Sequence, residues 1–254
     1  MIESIALPSR DQDRLSRIET VWTMIYHAHT DGGAAQGQAQ HELLARYGSA
    51  ILRYLRGAFR DESAAEETYQ EFAIRFLRGD YRSAHPDKGR FRSFLKVVLS
   101  RLVADHYRKQ SRRRETPLDT FGPILDDCDE RRRDAEFLET WRDEMLTQAW
   151  RGLAEEERRS GKPWMTLLKL RVENPEHRSV ELAAQLAQII EQDVTPTRLR
   201  VLLHRSRERF ANYLIDAVAE SIRDETLADV EQELAELQLL QYCQSVLEQR
   251  KASA

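Results

Sequence analysis

The chain has 254 residues, with 39 Lys or Arg against 43 Asp or Glu, for a formal net charge of −4. Apolar residues make up 41% of it, charged residues 32%, and there are only 10 Gly and 7 Pro. This composition fills modest cores but not one large sheet core, and it favours helices. Two cysteines, Cys128 and Cys243, lie far apart without metal spacing and do not suggest a secreted disulfide scaffold. No apolar run nears the about 18 residues of a membrane span, so no membrane partner is expected. The start, MIESIALPSR, lacks a basic segment followed by an apolar core, so no signal peptide is expected and the cytoplasm is the expected location.

Residues 1–14 read as a flexible arm. Leu15 to Ala28 carries Ile18, Val21, Trp22, Met24 and Ile25 and suits a first helix. Asp31 to Gln40 (DGGAAQGQAQ) reads as a flexible break. A longer helix is expected from His41 to about Ala58, with Leu43, Leu44, Tyr47, Ile51, Leu52, Tyr54 and Leu55 at three- and four-residue steps. Either Asp61 or Ser63 can cap the next helix, with Glu66 placed for a capping box after Ser63. That helix runs to about Arg78 with Tyr69, Phe72, Ala73, Phe76 and Leu77, and a loop follows from Gly79 to Gly89.

The next helix, Phe91 to about Arg114, divides into two halves. Phe91, Phe94, Leu95, Val98, Leu99, Leu102 and Val103 form an apolar set, and Arg108, Lys109, Arg112, Arg113 and Arg114 form a basic run. From Phe72 to Arg114 there are 13 Lys or Arg against 3 Asp or Glu, in a chain that is acidic as a whole. One strongly positive stretch in an acidic protein is the footprint expected for a polyanion partner.

Thr116 to about Asp134 reads as an acidic linker, because Pro117, Gly122 and Pro123 discourage a long helix. It either rests on neighbouring basic parts or is a plain solvated charge run. A helix through Phe137, Trp141, Met145, Leu146, Ala149, Trp150 and Leu153 then reaches a charged turn, EEERRSGKP, and Trp164 to Val172 is a further short helix. From Asp224 to Gln249 an acidic tail reads as one amphipathic helix or a helix pair. Tryptophans 22, 141, 150 and 164 fall at apolar helical positions and are assigned to cores. Cys128 is expected as a free linker thiol and Cys243 as partly buried in the tail.

Val180 to Glu191 forms a helix with Leu182, Ala183, Leu186 and Ile189 inward. Thr195 can cap the next helix, and Pro196 at its first position loses no hydrogen bond. Leu199, Leu202, Leu203 and Phe210 turn toward the preceding helix, leaving Arg198, Arg200, His204, Arg205, Arg207 and Arg209. Two helices about a short break, the second rich in arginine, form a helix-turn-helix pattern for duplex DNA, with a solvated helix as the alternative. No strand-like alternation of useful length occurs. The expected fold is therefore all-α: two helical domains joined by an acidic linker, the second with a helix-turn-helix. The expected divisions are 1–14, 15–115, 116–134, 135–222 and 223–254.

Three stretches in this order resemble a bacterial sigma-70 family RNA polymerase sigma factor of the extracytoplasmic-function class, most of all its planctomycete-type variants. EETYQEFAIRFL, from Glu66, is similar to the family's helix for the clamp coiled coil of the polymerase largest subunit. Gln70, Glu71 and Phe72 match, while Ala64, Ala65, Glu66, Glu67 and Thr68 replace the usual Asp-Ala-Glu-Asp-Leu. GRFRSFLKVVLSRLVADHYRKQSRRR resembles the segment that opens and reads the −10 element, with Asp105 and Arg108 matching and Arg101 where Asn is frequent. AHPDKGRFRSFL, from Ala84, carries the planctomycete-type likeness. VTPTRLRVLLHRSRERF is similar to the recognition helix for the −35 element, with Arg198 where Thr is common and a longer turn before it.

The resemblance implies a protein that is not an enzyme, binds core RNA polymerase and directs promoter recognition, melting and transcription initiation. It assigns Glu66, Glu67, Gln70 and Glu71 to the polymerase. Arg92, Arg101, Arg108, Lys109, Arg112, Arg113 and Arg114 are assigned to melted DNA on the −10 side, and Arg198, Arg200, His204, Arg205 and Arg207 to duplex DNA on the −35 side. Phe72 adds docking contact or is core, and Phe91 and Tyr107 stack on bases or are core. The partners implied are core RNA polymerase and promoter DNA, both double-stranded and melted, with room for an anti-sigma or other regulatory protein. No cofactor is expected, since no GxGxxG, phosphate-binding loop or Ser-His-Asp order stands out. No metal is expected either, because nothing completes a ligand set around His27, His29 and Asp31. The alternatives are a standalone helix-turn-helix transcription regulator and a helical scaffold. The acidic tail is also readable as an autoinhibitory DNA mimic.

Overall fold

The computed structural model describes residues 34–59, 61–81, 90–113, 127–222 and 226–253. Among these, every regular element is a helix: α1 (Ala34–Ala58), α2 (Glu62–Arg78), α3 (Phe91–Arg113), α4 (Asp127–Ser160), α5 (Trp164–Glu173), α6 (Ser179–Ile190), α7 (Pro196–Ala219), α8 (Leu227–Glu236) and α9 (Leu240–Ser253). The described residues divide into two compact units, one of 34–144 with 219–229 and one of 145–218 with 230–253. The expected arm, the helix from Leu15 to Ala28 with Trp22 and His27, the residue His29 and the proline-bearing stretch 114–126 lie outside the described residues.

In the first unit α1, α2 and α3 pack on one another. Their cores follow the rows legible in the sequence: Leu43, Tyr47, Ile51 and Leu55 from α1, Phe72 and Phe76 from α2, and Phe91, Leu95, Leu99 and Leu102 from α3, with Ala65 of α2 buried as well. The start of α4 closes this core. Trp141 stacks on Tyr47, with ring centroids 5.2 Å apart and planes 3° from parallel, and Phe137 meets Tyr54 edge-on at 5.2 Å.

Two expectations about this unit are corrected. Residues 34–40 are helical, not a break. Alanine and glutamine are strong helix formers, and Gly37 sits where nothing crowds it. Buried Gln40 then donates its side-chain amide to the carbonyl of Leu77 at 3.2 Å, satisfying one of the carbonyls left over at the end of α2. Residues 127–134 are the opening turns of α4, not extended linker.

In the second unit α4 continues through the stretch expected as a charged turn, with Arg158 paired to Glu155 one turn back. It stops at Gly161, whose φ of 66° suits glycine. The Glu157 carboxylate accepts the backbone N–H of Thr166 at 2.9 Å and its hydroxyl at 2.5 Å, tying α4 to α5. Leu153, Trp164 and Leu168 form one apolar cluster with Trp150, Phe210 and Tyr213 against it. A second cluster, Leu167, Leu182, Ala183, Leu186 and Leu199, joins α5, α6 and α7. Ile189, expected inward, is exposed instead.

The tail is a helix pair that belongs to this unit from Val230 onward. Val230, Leu234, Cys243, Val246 and Leu247 are buried. Arg250 is buried too, and donates to Asn212 Oδ1 at 2.5 Å and to Asp216 Oδ1 at 2.9 Å, holding α9 to α7. Removing one partner of such a buried pair costs about 3–5 kcal/mol, because a desolvated charge is left behind. One of the tail's acidic side chains, Glu233, is itself buried.

Cys243 is fully buried, with its sulfur 3.9 Å from the carbonyl oxygen of Ala211. Burial pushes its thiol up to about 12, with Arg250 pulling weakly the other way. Its folded-state value lies above the unfolded one, so its contribution to stability is complete below pH ~9 and is lost as pH rises toward 12. In a Cys128→Ser background the remaining thiol should resist a disulfide reagent at pH 8 until the unit unfolds. Stopped labelling across a urea titration checks this, with reactivity expected to track the unfolding curve.

Candidate functional site

α2 is fixed at both ends by its own sequence. The Asp61 carboxylate accepts the N–H of Ser63 at 3.1 Å, so Asp61 rather than Ser63 is the cap. Gly79, at φ 82°, ends the helix with two backbone bonds, Gly79 N–H to Phe76 O and Asp80 N–H to Arg75 O, each 3.0 Å. Between these ends Ala64, Ala65, Thr68, Phe72 and Phe76 are buried. Phe72 is therefore core.

The opposite side of α2 presents Glu66, Glu67 and Gln70, all exposed. It continues into Ile74 and Leu77, which are 47% and 48% exposed. The apolar residues of α2 do not all fit one stripe, and Phe72 and Phe76 take the buried positions. Ile74 and Leu77 are thus additions to the stripe that apolar periodicity alone conceals. Glu71 stands apart from the other three acidic-stripe residues: it is half-buried and accepts from Arg75 at 2.5 Å and from Lys109 at 3.2 Å. Glu66 lies 3.6 Å from Arg56, an exposed pair worth about 0–1 kcal/mol.

α3 buries Phe91, Leu95, Val98, Leu99, Leu102 and Val103. Arg101, Arg108, Lys109 and Arg112 are exposed, and Arg92 is half-buried. Arg108 lies 2.9 Å from Asp105, and Lys109 reaches across to Glu71 on α2. Arg113 ends the helix, and Arg114 lies outside the described residues. Lys96 meets Asp134 at 2.6 Å, so one acidic residue at the start of α4 does rest on this basic helix. Both aromatics considered for base stacking take part in packing within the unit. Phe91 is buried against Tyr47 and Trp141. Tyr107 packs on Phe59 and donates its hydroxyl to the carbonyl of Ala58 at 3.2 Å.

In the second unit, α6 and α7 are joined by residues 191–195. Glu191 leaves α6 in the left-handed conformation, at φ 52°. Thr195 Oγ1 accepts the N–H of Arg198 at 3.2 Å, and Pro196 begins α7, as its sequence predicts. Leu199 is buried, and Leu202 and Leu203 pack against both apolar clusters. Arg198, Arg200, His204, Arg205 and Arg207 are exposed. Arg198 also donates to the carbonyl of Asp193 at 2.9 Å, and His204 lies 3.7 Å from Glu208. Arg209 is different. It donates to Glu156 at 2.8 Å and lies over the Trp164 ring at 4.2 Å, so it belongs to the packing.

Residues 43–113 match the family model for Sigma-70 region 2. This segment, from within α1 to the end of α3, is similar to a sigma-70 region 2 domain. No curated protein and no solved structure matches the chain. Among the described residues no group of His, Cys, Asp and Glu is arranged to hold a metal ion, and no helix is long and apolar enough to cross a membrane.

The C-terminal half of α3 is anchored beside its cations by the Tyr107 hydroxyl. Tyr107→Phe should cost about 1 kcal/mol, the net worth of one hydrogen bond. Amide exchange should rise at residues 108–112 and stay unchanged in α1 before Ala58. Equal change throughout the unit would mean that the bond does not act locally.

Proposed function

We propose that the chain is a sigma factor of the extracytoplasmic-function class, similar to planctomycete-type variants. It acts in the cytoplasm, binds core RNA polymerase and directs promoter recognition, DNA melting and transcription initiation. The observation that carries this reading is the Sigma-70 region 2 match over residues 43–113, which spans both the acidic stripe of α2 and the exposed cations of α3. A standalone helix-turn-helix regulator leaves that match without a role.

Glu66, Glu67 and Gln70 supply the charged and polar part of a docking stripe for a basic coiled coil of the polymerase, and Ile74 and Leu77 supply its apolar part. Burial of a leucine-sized side chain contributes about 1.5–3 kcal/mol. Glu71, shared between Arg75 and Lys109, contributes at the edge of this stripe.

Arg101, Arg108, Lys109 and Arg112 hold the backbone of the melted strand, with Arg92, Arg113 and Arg114 extending the same role. Unstacking bases costs a few kcal/mol. With Phe91 and Tyr107 committed to packing, the return comes mainly from phosphate contacts, which makes binding steeply dependent on salt.

α6 and α7 act as a helix-turn-helix. Arg198, Arg200, His204, Arg205 and Arg207 face the major groove and phosphates of the −35 duplex. There a bidentate arginine on guanine discriminates by about 1–3 kcal/mol. An anti-sigma or other regulatory protein fits the same reading as a further partner.

Co-purification with bacterial core RNA polymerase tests the proposal. The wild type is expected to be retained and a Glu66→Ala, Glu67→Ala, Gln70→Ala triple variant lost. Failure of the wild type to bind at low salt would overturn the sigma reading. A second measurement concerns α3. Arg112→Ala should reduce the slope of log affinity against log salt, for single-stranded nontemplate DNA with core polymerase, by about 0.7. An unchanged slope would remove Arg112 from the phosphate contacts.

A further inference from the structure

We infer that Val201 is a specificity-determining residue for thymine: its isopropyl group packs on the C5-methyl group of a thymine in duplex DNA. This rests on the proposed duplex-reading role of α7.

Val201 is 47% exposed and lies in the first half of α7. In the first half of α7 the side that packs on the fold is Leu199 and Ser206, with Leu202 and Leu203 beside them, and Val201 is not needed there. Helix propensity does not favour it either, since a β-branched side chain loses rotamer freedom against the preceding turn. A single exposed apolar residue ordinarily calls for no explanation. The neighbours of this one distinguish it. Thr197 and Arg198 are four and three residues before it, and His204 and Arg205 three and four after it, all exposed. These are the positions that adjoin a residue on a helix surface.

One exposed apolar side chain in so cationic a setting does not suit an apolar protein partner. Arg198, Arg200, Arg205 and Arg207 select a polyanion. Along the major groove of duplex DNA, the methyl group on C5 of thymine is the apolar feature that a small aliphatic side chain can meet. Valine suits it, because its single side-chain torsion is already restricted in a helix and little freedom is lost on contact. A face built only for phosphates has no use for valine at this position.

The test uses the full chain, alone and with bacterial core RNA polymerase, to select duplexes from a randomised pool. Each thymine of a selected duplex is then replaced singly by deoxyuridine, which keeps the pairing and removes only the methyl group. At one position the swap is expected to weaken wild-type binding about fourfold, the effect of ~0.8 kcal/mol for one buried carbon. In Val201→Ala the same swap should change binding by less than about twofold. Alanine is the better helix former, so this variant keeps α7. The inference is overturned if no swap matters, or if the decisive swap weakens wild type and variant equally, which would assign the contact to another group such as the Thr197 methyl. Selection of a sequence without any methyl effect leaves the duplex-reading role of α7 standing and removes only the Val201 contact. Selection of no sequence in either format removes both.

Discussion

Burial of one side of α3 decides where its cations point. Phe91, Leu95, Leu99 and Leu102 recur at helical spacing and are withdrawn from water in the core that α3 shares with α1 and α2. Each contributes on the order of 1.5–3 kcal/mol. No rotation of the helix that exposes this row can be offset by surface ion pairs worth at most about 1 kcal/mol. Arg101, Arg108, Lys109 and Arg112 are therefore held outward by apolar packing rather than by their own interactions. The same division, on α2, sends Phe72 and Phe76 inward and leaves Glu66, Glu67 and Gln70 facing solvent.

Much of this was legible because helical periodicity reports burial directly. The apolar rows of α1 and α3, the Asp61 cap, the Thr195–Pro196 start of α7 and the outward arginines all follow from residue type and spacing. What was hidden has identifiable physical causes. Gly32, Gly33 and Gly37 make the stretch before His41 resemble a break, but glycine lowers helix stability by only about 1 kcal/mol, and the Gln40 bond to Leu77 acts over a distance that no local window contains. The acidic run before Asp134 resembles a linker, yet from Asp127 onward it is the first turns of a long helix. The exposure of Ile74 and Leu77 depends on which of several apolar residues of α2 win the core, a matter of shape rather than period.

Arginine shows the limit most plainly. Arg205, Arg207 and Arg209 are indistinguishable by composition, yet Arg209 lies over Trp164 and binds Glu156 while the other two are exposed. The available signal was angular: Arg209 falls near the helix face of Leu202 and Ser206, and Arg205 and Arg207 fall away from it. In the tail, Arg250 follows an acidic stretch yet is buried, because Asn212 and Asp216 on α7 satisfy its guanidinium. Charge counting along the chain reads both residues as solvent-facing, and only the fold reveals them as packing groups.

The chain order of the two units has a consequence for synthesis on the ribosome. Arg46 of the first unit finds its partner in Glu220, 174 residues later, and the second unit draws on Val230 onward after an excursion through 219–229. Each unit is thus interrupted in sequence by a part of the other. A nascent chain that has just finished α7 has delivered most of both cores and completed neither. Arg46 then lacks its carboxylate, and the α7 groups Asn212 and Asp216 lack Arg250. Vectorial folding can bring α1, α2 and α3 together early, but the contacts that close each unit must wait for residues that follow α7.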